Sequence, residues 1–292
     1  MSTESQNEKE RNEMIVKRID FEHGSIPSNI LNAAIPMLVA QLLSLLYNII
    51  DRIYIARIPH IGTTALGSVG LCFPIIVIIT AFSNLFGSGG APLFSISRGE
   101  NDQKKAAEIM NTSYTMVCGS AILLMVIGFL FARPILRLFG ASESALVYAY
   151  PYLMIYLLGT LPSMISTGMN SFINAQGYAM TGMTSVAIGA VANCILDPVF
   201  IFVFSLGIRG AAIATVISQT LSAAFVLYFL KKRSELNVRL LTRNELSRCT
   251  ETAKNIVSLG TAGFIMQLTN SLVSICCNNV LSVTGGDIYI SV

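Results

Sequence analysis

The run NILNAAIPMLVAQLLSLLYNIIDRIYIA, residues 29–56, is long enough to cross a bilayer as a helix and carries one acid, Asp51, and one base, Arg52, near its end. A carboxylate near the centre of a membrane helix costs roughly 2.5–3.5 kcal/mol on insertion scales, so Asp51 needs a reason to be there. Gln41, Ser44, Asn48 and Asp51 are spaced three, four and three apart, which puts them on one helical stripe with Tyr47 beside it. Arg52 is an awkward partner for Asp51, because neighbouring helix positions point about 100° apart. Two readings stand: polar side chains satisfying one another in a helix bundle, or an acid on an ion or proton path.

The rest of the chain agrees with a bilayer setting. It is 53% hydrophobic and 12% charged, half of the roughly 25% usual in a soluble domain. A net charge of +3 gives no sign of a nucleic-acid partner. Seven apolar segments reach spanning length: about 29–56, 66–95, 107–132, 145–172, 180–205, 210–230 and 255–283. The predicted fold is therefore an all-α integral membrane protein, a six-helix bundle followed by a seventh helix and the start of an eighth. Residues 1–25 form a polar tail with no signal-peptide core, and residues 232–254 a charged connection between bundles. With the amino terminus inside, fourteen Lys and Arg fall on the cytoplasmic side, against Arg57, Arg133, Arg137 and Arg209 outside. That bias predicts a multi-pass protein of the cell membrane, in a bacterium the inner membrane, with a cytoplasmic amino terminus.

The segment from Asn255 can be laid on that from Asn29 without gaps, with Asn-Ile matched at the start and Gln41-Leu42 falling on Gln267-Leu268. Internal repetition is the usual architecture of secondary transporters. Residues 26–231 thus read as one six-helix lobe, and 255–292 as the incomplete beginning of a second copy.

A second acid sits in VANCILDPVFIF. Asn193 and Asp197 are four apart, and Pro198 takes a backbone hydrogen bond away from the carbonyl of Cys194. Carboxylate, amide and carbonyl oxygens suit a hard cation, and the acid could instead carry a proton; the structural alternative is a kinked helix around a protonated Asp. Pro36 is a corresponding bend in the first helix. In GIRGAAIATVISQ the small residues Gly210, Ala211, Ala214, Thr215 and Ser218 allow close helix packing, and Thr215 can add a hydroxyl to a site on the fifth helix.

Other features carry less. GSGG at 87–90 lacks the Lys and Ser/Thr of a phosphate-binding loop and reads as a helix break or close packing. The six cysteines match neither a zinc motif nor a disulfide framework and read as buried fillers. His23 and His60 are too far apart in sequence to suggest a metal pair, and the serines have no His/Asp framework, so an enzyme finds no support. Some of the twelve methionines are candidates to line an adaptable apolar cavity.

Pro36, YNIIDRIYIA, NCILDPVFIF and GIRGAAIAT together resemble the MATE family of multidrug and toxic compound extrusion transporters. The resemblance implies twelve helices in two lobes, exchanging cationic or amphipathic drugs for Na⁺ or H⁺, with no other cofactor. It implies that Asp51, Asn193, Asp197 and Thr215 form the coupling site and that Pro36 and Pro198 mark helix bends. Tyr47, Tyr152 and Asn170 fall at positions resembling polar contacts of the amino-lobe cavity, and Asn48 is assigned to the cavity with them. Cys277, opposite Asp51 in the repeat, restricts the cation site to the first lobe. A lipid-linked precursor flippase is the related alternative; it calls for a more cationic cavity, whereas Arg52 is the only arginine inside a first-lobe helix. A transport-inactive membrane fragment is the alternative from another class. Transport is expected to need a second lobe.

Overall fold

A computed structural model describes residues 19, 25–59, 61–234 and 236–285. Among them there are helices and connections only: α1 (Ile26–Ala56), α2 (Gly62–Gly99), α3 (Gln103–Leu138), α4 (Glu143–Leu158), α5 (Thr160–Ala175), α6 (Ala179–Pro198), α7 (Ile208–Lys232), the short α8 (Arg243–Arg248) and α9 (Thr250–Gly285). Six helices are long and apolar enough to cross a membrane, and α4 with α5 makes a seventh span if the pair is taken together. The expected start of an eighth helix, and His23 and His60, lie outside the described residues.

The segment expected to be one helix over 145–172 is instead bent by 55° between α4 and α5. Pro162, in the first turn of α5, has no N–H to give back to the preceding turn, so an uninterrupted helix loses a bond there. The break falls at Gly159, where a Cβ would sit 2.8 Å from Gln219 Oε1 and 2.9 Å from Val216 Cγ2 on α7. Pro36 causes no such interruption, since α1 continues through it. Pro198 ends α6, and the chain goes on as a π-helical turn, Val199–Val203, whose wider hydrogen bonding absorbs the missing donor.

The core lies where α2, α3, α4, α5 and α7 meet, with Phe94 of α2 edge-on to Phe172 of α5 at 5.4 Å. Helix ends are set locally: Asp102 accepts from the Lys105 N–H at 3.0 Å to start α3, and Ser142 from the Ala145 N–H at 3.1 Å to start α4. By contrast α1 packs chiefly on α6 and leaves Ile30, Leu38, Leu42, Leu45 and Ile49 exposed, an apolar face too extensive for water and suited to lipid or another helix.

The GSGG run proves to be packing, not a break, for α2 passes through it unbroken. At Gly89 a Cβ would lie 2.3 Å from the Ile256 carbonyl oxygen, and at Gly260 2.0 Å from that of Leu85, so α2 and α9 cross backbone to backbone. Phe82 edge-on to Phe264 at 4.9 Å and Ser271 Oγ donating to the Pro74 carbonyl at 3.1 Å extend this contact. The reading of the cysteines as buried fillers fails for most of them. Cys72 is buried, Cys118, Cys194 and Cys249 are half-buried, and Cys276 and Cys277 are exposed on the outer face of α9.

The basic connection after α7 is ordered by hydrogen bonds. The Arg239 and Leu241 amides donate to Asn111 Oδ1 (2.9 Å) and Thr115 Oγ1 (3.0 Å), four residues apart on α3. Arg239 also forks onto both oxygens of Glu245, which closes a capping box with Thr242 at the start of α8.

Candidate functional site

Four helices present polar faces to one cavity of ≈ 320 Å³. Gln41, Ser44 and Tyr47 come from α1, Ser163, Ser166, Thr167, Asn170 and Asn174 from α5, Asn193 from α6, and Thr215, Ser218, Gln219 and Ser222 from α7. On α1, α5 and α7 these residues recur every three or four positions, with 166/167 and 218/219 as neighbouring pairs, the repeat that keeps side chains on one face. Met37 and Met183 add thioethers to the wall, and among the described residues no charged side chain lines it.

The polar wall is cross-linked. Ser166 and Ser222 hydroxyls lie 2.7 Å apart, and Ser222 donates to the Ser185 carbonyl at 2.8 Å. Asn170 Nδ2 donates to the Gly182 carbonyl at 3.4 Å, and Gln219 Nε2 to the Tyr156 hydroxyl at 3.3 Å. These bonds commit the amide nitrogens of Asn170 and Gln219, and Asn170 Oδ1, Asn174 Oδ1 and Gln219 Oε1 are buried without a donor. Buried acceptors in that state are costly unless something donates to them.

At one end of the cavity is the acid cluster. Asp197 on α6 is fully buried, and Asn193, one turn earlier, donates to its Oδ1 at 3.3 Å. The same Asn193 nitrogen reaches Thr215 Oγ1 on α7 at 3.5 Å, while that hydroxyl donates to the Ala211 carbonyl at 3.0 Å. From α1, Asp51 comes close enough to Asp197 for the two carboxyls to share a hydrogen bond. Such a bond exists only when one of them holds a proton. With both ionised, Asp51 Oδ1 and Asp197 Oδ2 are buried oxygens with no donor, and Asn193 Oδ1 is a third. Among the described residues there is no group of three His, Cys, Asp or Glu that could hold a metal, so the ligands here are two carboxylates with neutral oxygens.

The structure thus brings Asp51, Asn193, Asp197 and Thr215 together, and places Tyr47 and Asn170 on the cavity wall. It does not put Asn48 or Tyr152 there. Asn48 faces outward and donates to the Ser44 carbonyl of its own helix at 2.7 Å. One turn of α1 carries both Tyr47 and Asn48, and only Tyr47 turns inward. Tyr152 is buried beside Tyr156, with ring centroids 6.3 Å apart, and stands within electrostatic reach of both carboxylates. Its place is behind the acid cluster. Beyond Asn170, Thr215 and Ser218, the polar residues of α5 and α7 on the wall were missed in the sequence reading, although Ser163, Ser166, Thr167, Asn170 and Asn174 repeat at the same three-to-four spacing as the α1 stripe.

A family model described as MatE matches residues 36–199. The multidrug export protein MepA of Staphylococcus haemolyticus (strain JCSC1435) is 27% identical over 266 residues, covering 91% of this chain and 58% of its own length. The probable multidrug resistance protein YpnP of Bacillus subtilis (strain 168) is 27% identical over 217 residues, covering 74% of this chain and 48% of its own. A solved structure described as the inward-facing conformation of a multidrug resistance MATE family transporter superposes with a TM-score of 0.78 at 26% identity, over 90% of this chain and 59% of that one. The chain therefore spans about half the length of these relatives. With the family model covering more than half of the residues, and the helices superposing on a solved member, the chain belongs to the MatE family.

Proposed function

We propose that the chain supplies the first lobe of a secondary multidrug efflux antiporter, which exports cationic or amphipathic small molecules in exchange for Na⁺ or H⁺ across the cell membrane, with its amino terminus in the cytoplasm. One observation carries this reading: Asn193 and Thr215 line the cavity and also belong to the acid cluster, so a ligand in one and an ion in the other meet the same two side chains. Three donorless buried oxygens, from Asp51, Asp197 and Asn193, suit a hard cation of Na⁺ type; a single proton between the two carboxyls satisfies the same pair. Exchange follows if binding at the two places is mutually unfavourable. Drug bound in the cavity disfavours the ion, and ion entry near Asp51 and Asp197 favours drug release.

The flippase alternative loses support from the wall itself, because no Lys or Arg lines it to meet a diphosphate. The multidrug reading is tested with the chain joined to a second lobe and reconstituted in proteoliposomes. An imposed inward Na⁺ or proton gradient should drive extrusion of a lipophilic quaternary ammonium dye. The unjoined chain should insert and give no extrusion, since alternating access needs two bundles around a shared site. Gradient-independent leakage of the dye, or no extrusion with either ion, contradicts the proposal.

A further inference from the structure

A second cavity, of ≈ 460 Å³, opens at the end of the bundle remote from the basic connection, between the α1–α2 turn, the start of α4 and the junction of the π-helical turn with α7. Its walls are largely apolar: Ile58, Ile61, Val147, Ile201, Phe202 and Leu206. One charged side chain lines it, Arg209, with the Ser205 and Tyr148 hydroxyls as its polar neighbours.

Of the arginines at this end Arg209 is the one on the cleft wall, while Arg57 is exposed just past the end of α1. Arg137 is paired with Glu143 at 2.7 Å, and the Arg133 guanidinium lies over the Tyr150 ring at 4.9 Å. Among the described residues no carboxylate pairs with Arg209, which is exposed at the second position of α7. Ile208 and Arg209, the first two residues of α7, whose amides have no intrahelical acceptor, both line the wall. Depth is fixed by the helices. α1 stops at Ala56 and α7 begins at Ile208, so the cleft lies where two spans leave the hydrocarbon, at the level of lipid headgroups. Beside it Val203 and Phe204 are 75% and 60% exposed, continuing the apolar wall towards the acyl chains.

We propose that this cleft binds the headgroup of an anionic phospholipid, with the phosphate on the Arg209 guanidinium and the glycerol and first acyl carbons against Ile58, Ile201, Phe202 and Leu206. Arginine matches phosphate with two parallel hydrogen bonds. A small soluble anion leaves the apolar walls uncovered, and a choline headgroup brings a second cation towards Arg209.

The purified chain is equilibrated in mixed micelles with equal amounts of phosphatidylglycerol and phosphatidylcholine, and retained lipid is read by native mass spectrometry. The chain should keep phosphatidylglycerol in preference. Arg209→Gln should lower its retention about fivefold, the value of one basic residue at a lipid surface, while Arg209→Lys keeps most of it. Arg137→Gln, at the same end, should leave retention unchanged. Because Arg209 is exposed, these variants fold alike, which an unchanged melting curve verifies. Equal retention of the two lipids, no effect of Arg209→Gln, or an equal effect of Arg137→Gln overturns the proposal. Displacement of the lipid by millimolar inorganic phosphate also overturns it, in favour of a free-anion site.

Discussion

Asn193 donates to Asp197 Oδ1 at 3.3 Å from one turn away on α6, and with Thr215 it ties the acid cluster to the cavity wall. Removing it strands a fully buried carboxyl. Asn193→Ala should therefore lower stability by about 1–3 kcal/mol, the range for leaving a buried polar group without its partner. Asn48→Ala is the control, since Asn48 is exposed and donates to a carbonyl of its own helix; it should change stability by less than about 0.5 kcal/mol. Thermal unfolding in detergent compares the two. Equal effects would mean that the Asn193–Asp197 bond has no special weight.

The α2–α9 crossing depends on having no side chains at Gly89 and Gly260. Leucine at either position must push two backbones apart, at a cost of about 1–3 kcal/mol or more. Gly263, three residues further along α9, has nothing within 4 Å of where its Cβ would be. Gly263→Leu should thus be tolerated while Gly89→Leu and Gly260→Leu lower the melting temperature by several degrees.

The basic connection should be sensitive to acid through Glu245. Its carboxyl is held down to about 2, from an ordinary 4.5, first by the Arg239 hydrogen bond and then by the Thr242 amide and hydroxyl. A group whose folded value is depressed contributes stability that is complete above its unfolded value and lost as pH falls through the folded one. Amide protection at Arg239–Thr242 should therefore hold from pH 7 to about 4.5 and fade between there and about 2. Glu245→Gln should raise exchange of the same amides at neutral pH and flatten this acid dependence. Exchange that responds to neither change would show that the Asn111 and Thr115 bonds alone hold the segment.

How far the sequence could be read differs from element to element. Length and apolarity were enough for the spans, because a bilayer demands about 20 apolar residues whatever the neighbours are. The acids of α1 and α6 were also legible, since an acid inside a span is costly and Asp51 and Asp197 stand out, whereas the place of Thr215 on α7 beside them came from the family resemblance. The 55° break at Gly159 was not, since Pro162 is compatible with the first turn of a helix and only packing against Val216 and Gln219 decides where the chain bends. The neutral faces of α5 and α7, apart from Asn170, Thr215 and Ser218, were equally hidden. Serine and asparagine in a membrane helix serve as interhelical glue as readily as they line a cavity, and their spacing is the same in both cases. Asn48 shows the limit of the stripe argument: a heptad position fixes direction to within about a side chain's width, and here the stripe turns towards Tyr47.

On the proposed mechanism Asp51 and Asp197 act as one unit in coupling, and ion-driven drug efflux by the two-lobed transporter in proteoliposomes reads that unity. Asn keeps the shape of Asp and cannot carry its charge, so Asp51→Asn and Asp197→Asn should insert and fold and should each abolish gradient-driven efflux. Residues acting as a unit are strongly non-additive, so the double variant should be little worse than either single one, while drug binding in the uncharged cavity persists in all three. Substantial gradient-driven efflux by Asp197→Asn, or separate partial losses that add up in the double variant, would contradict this account.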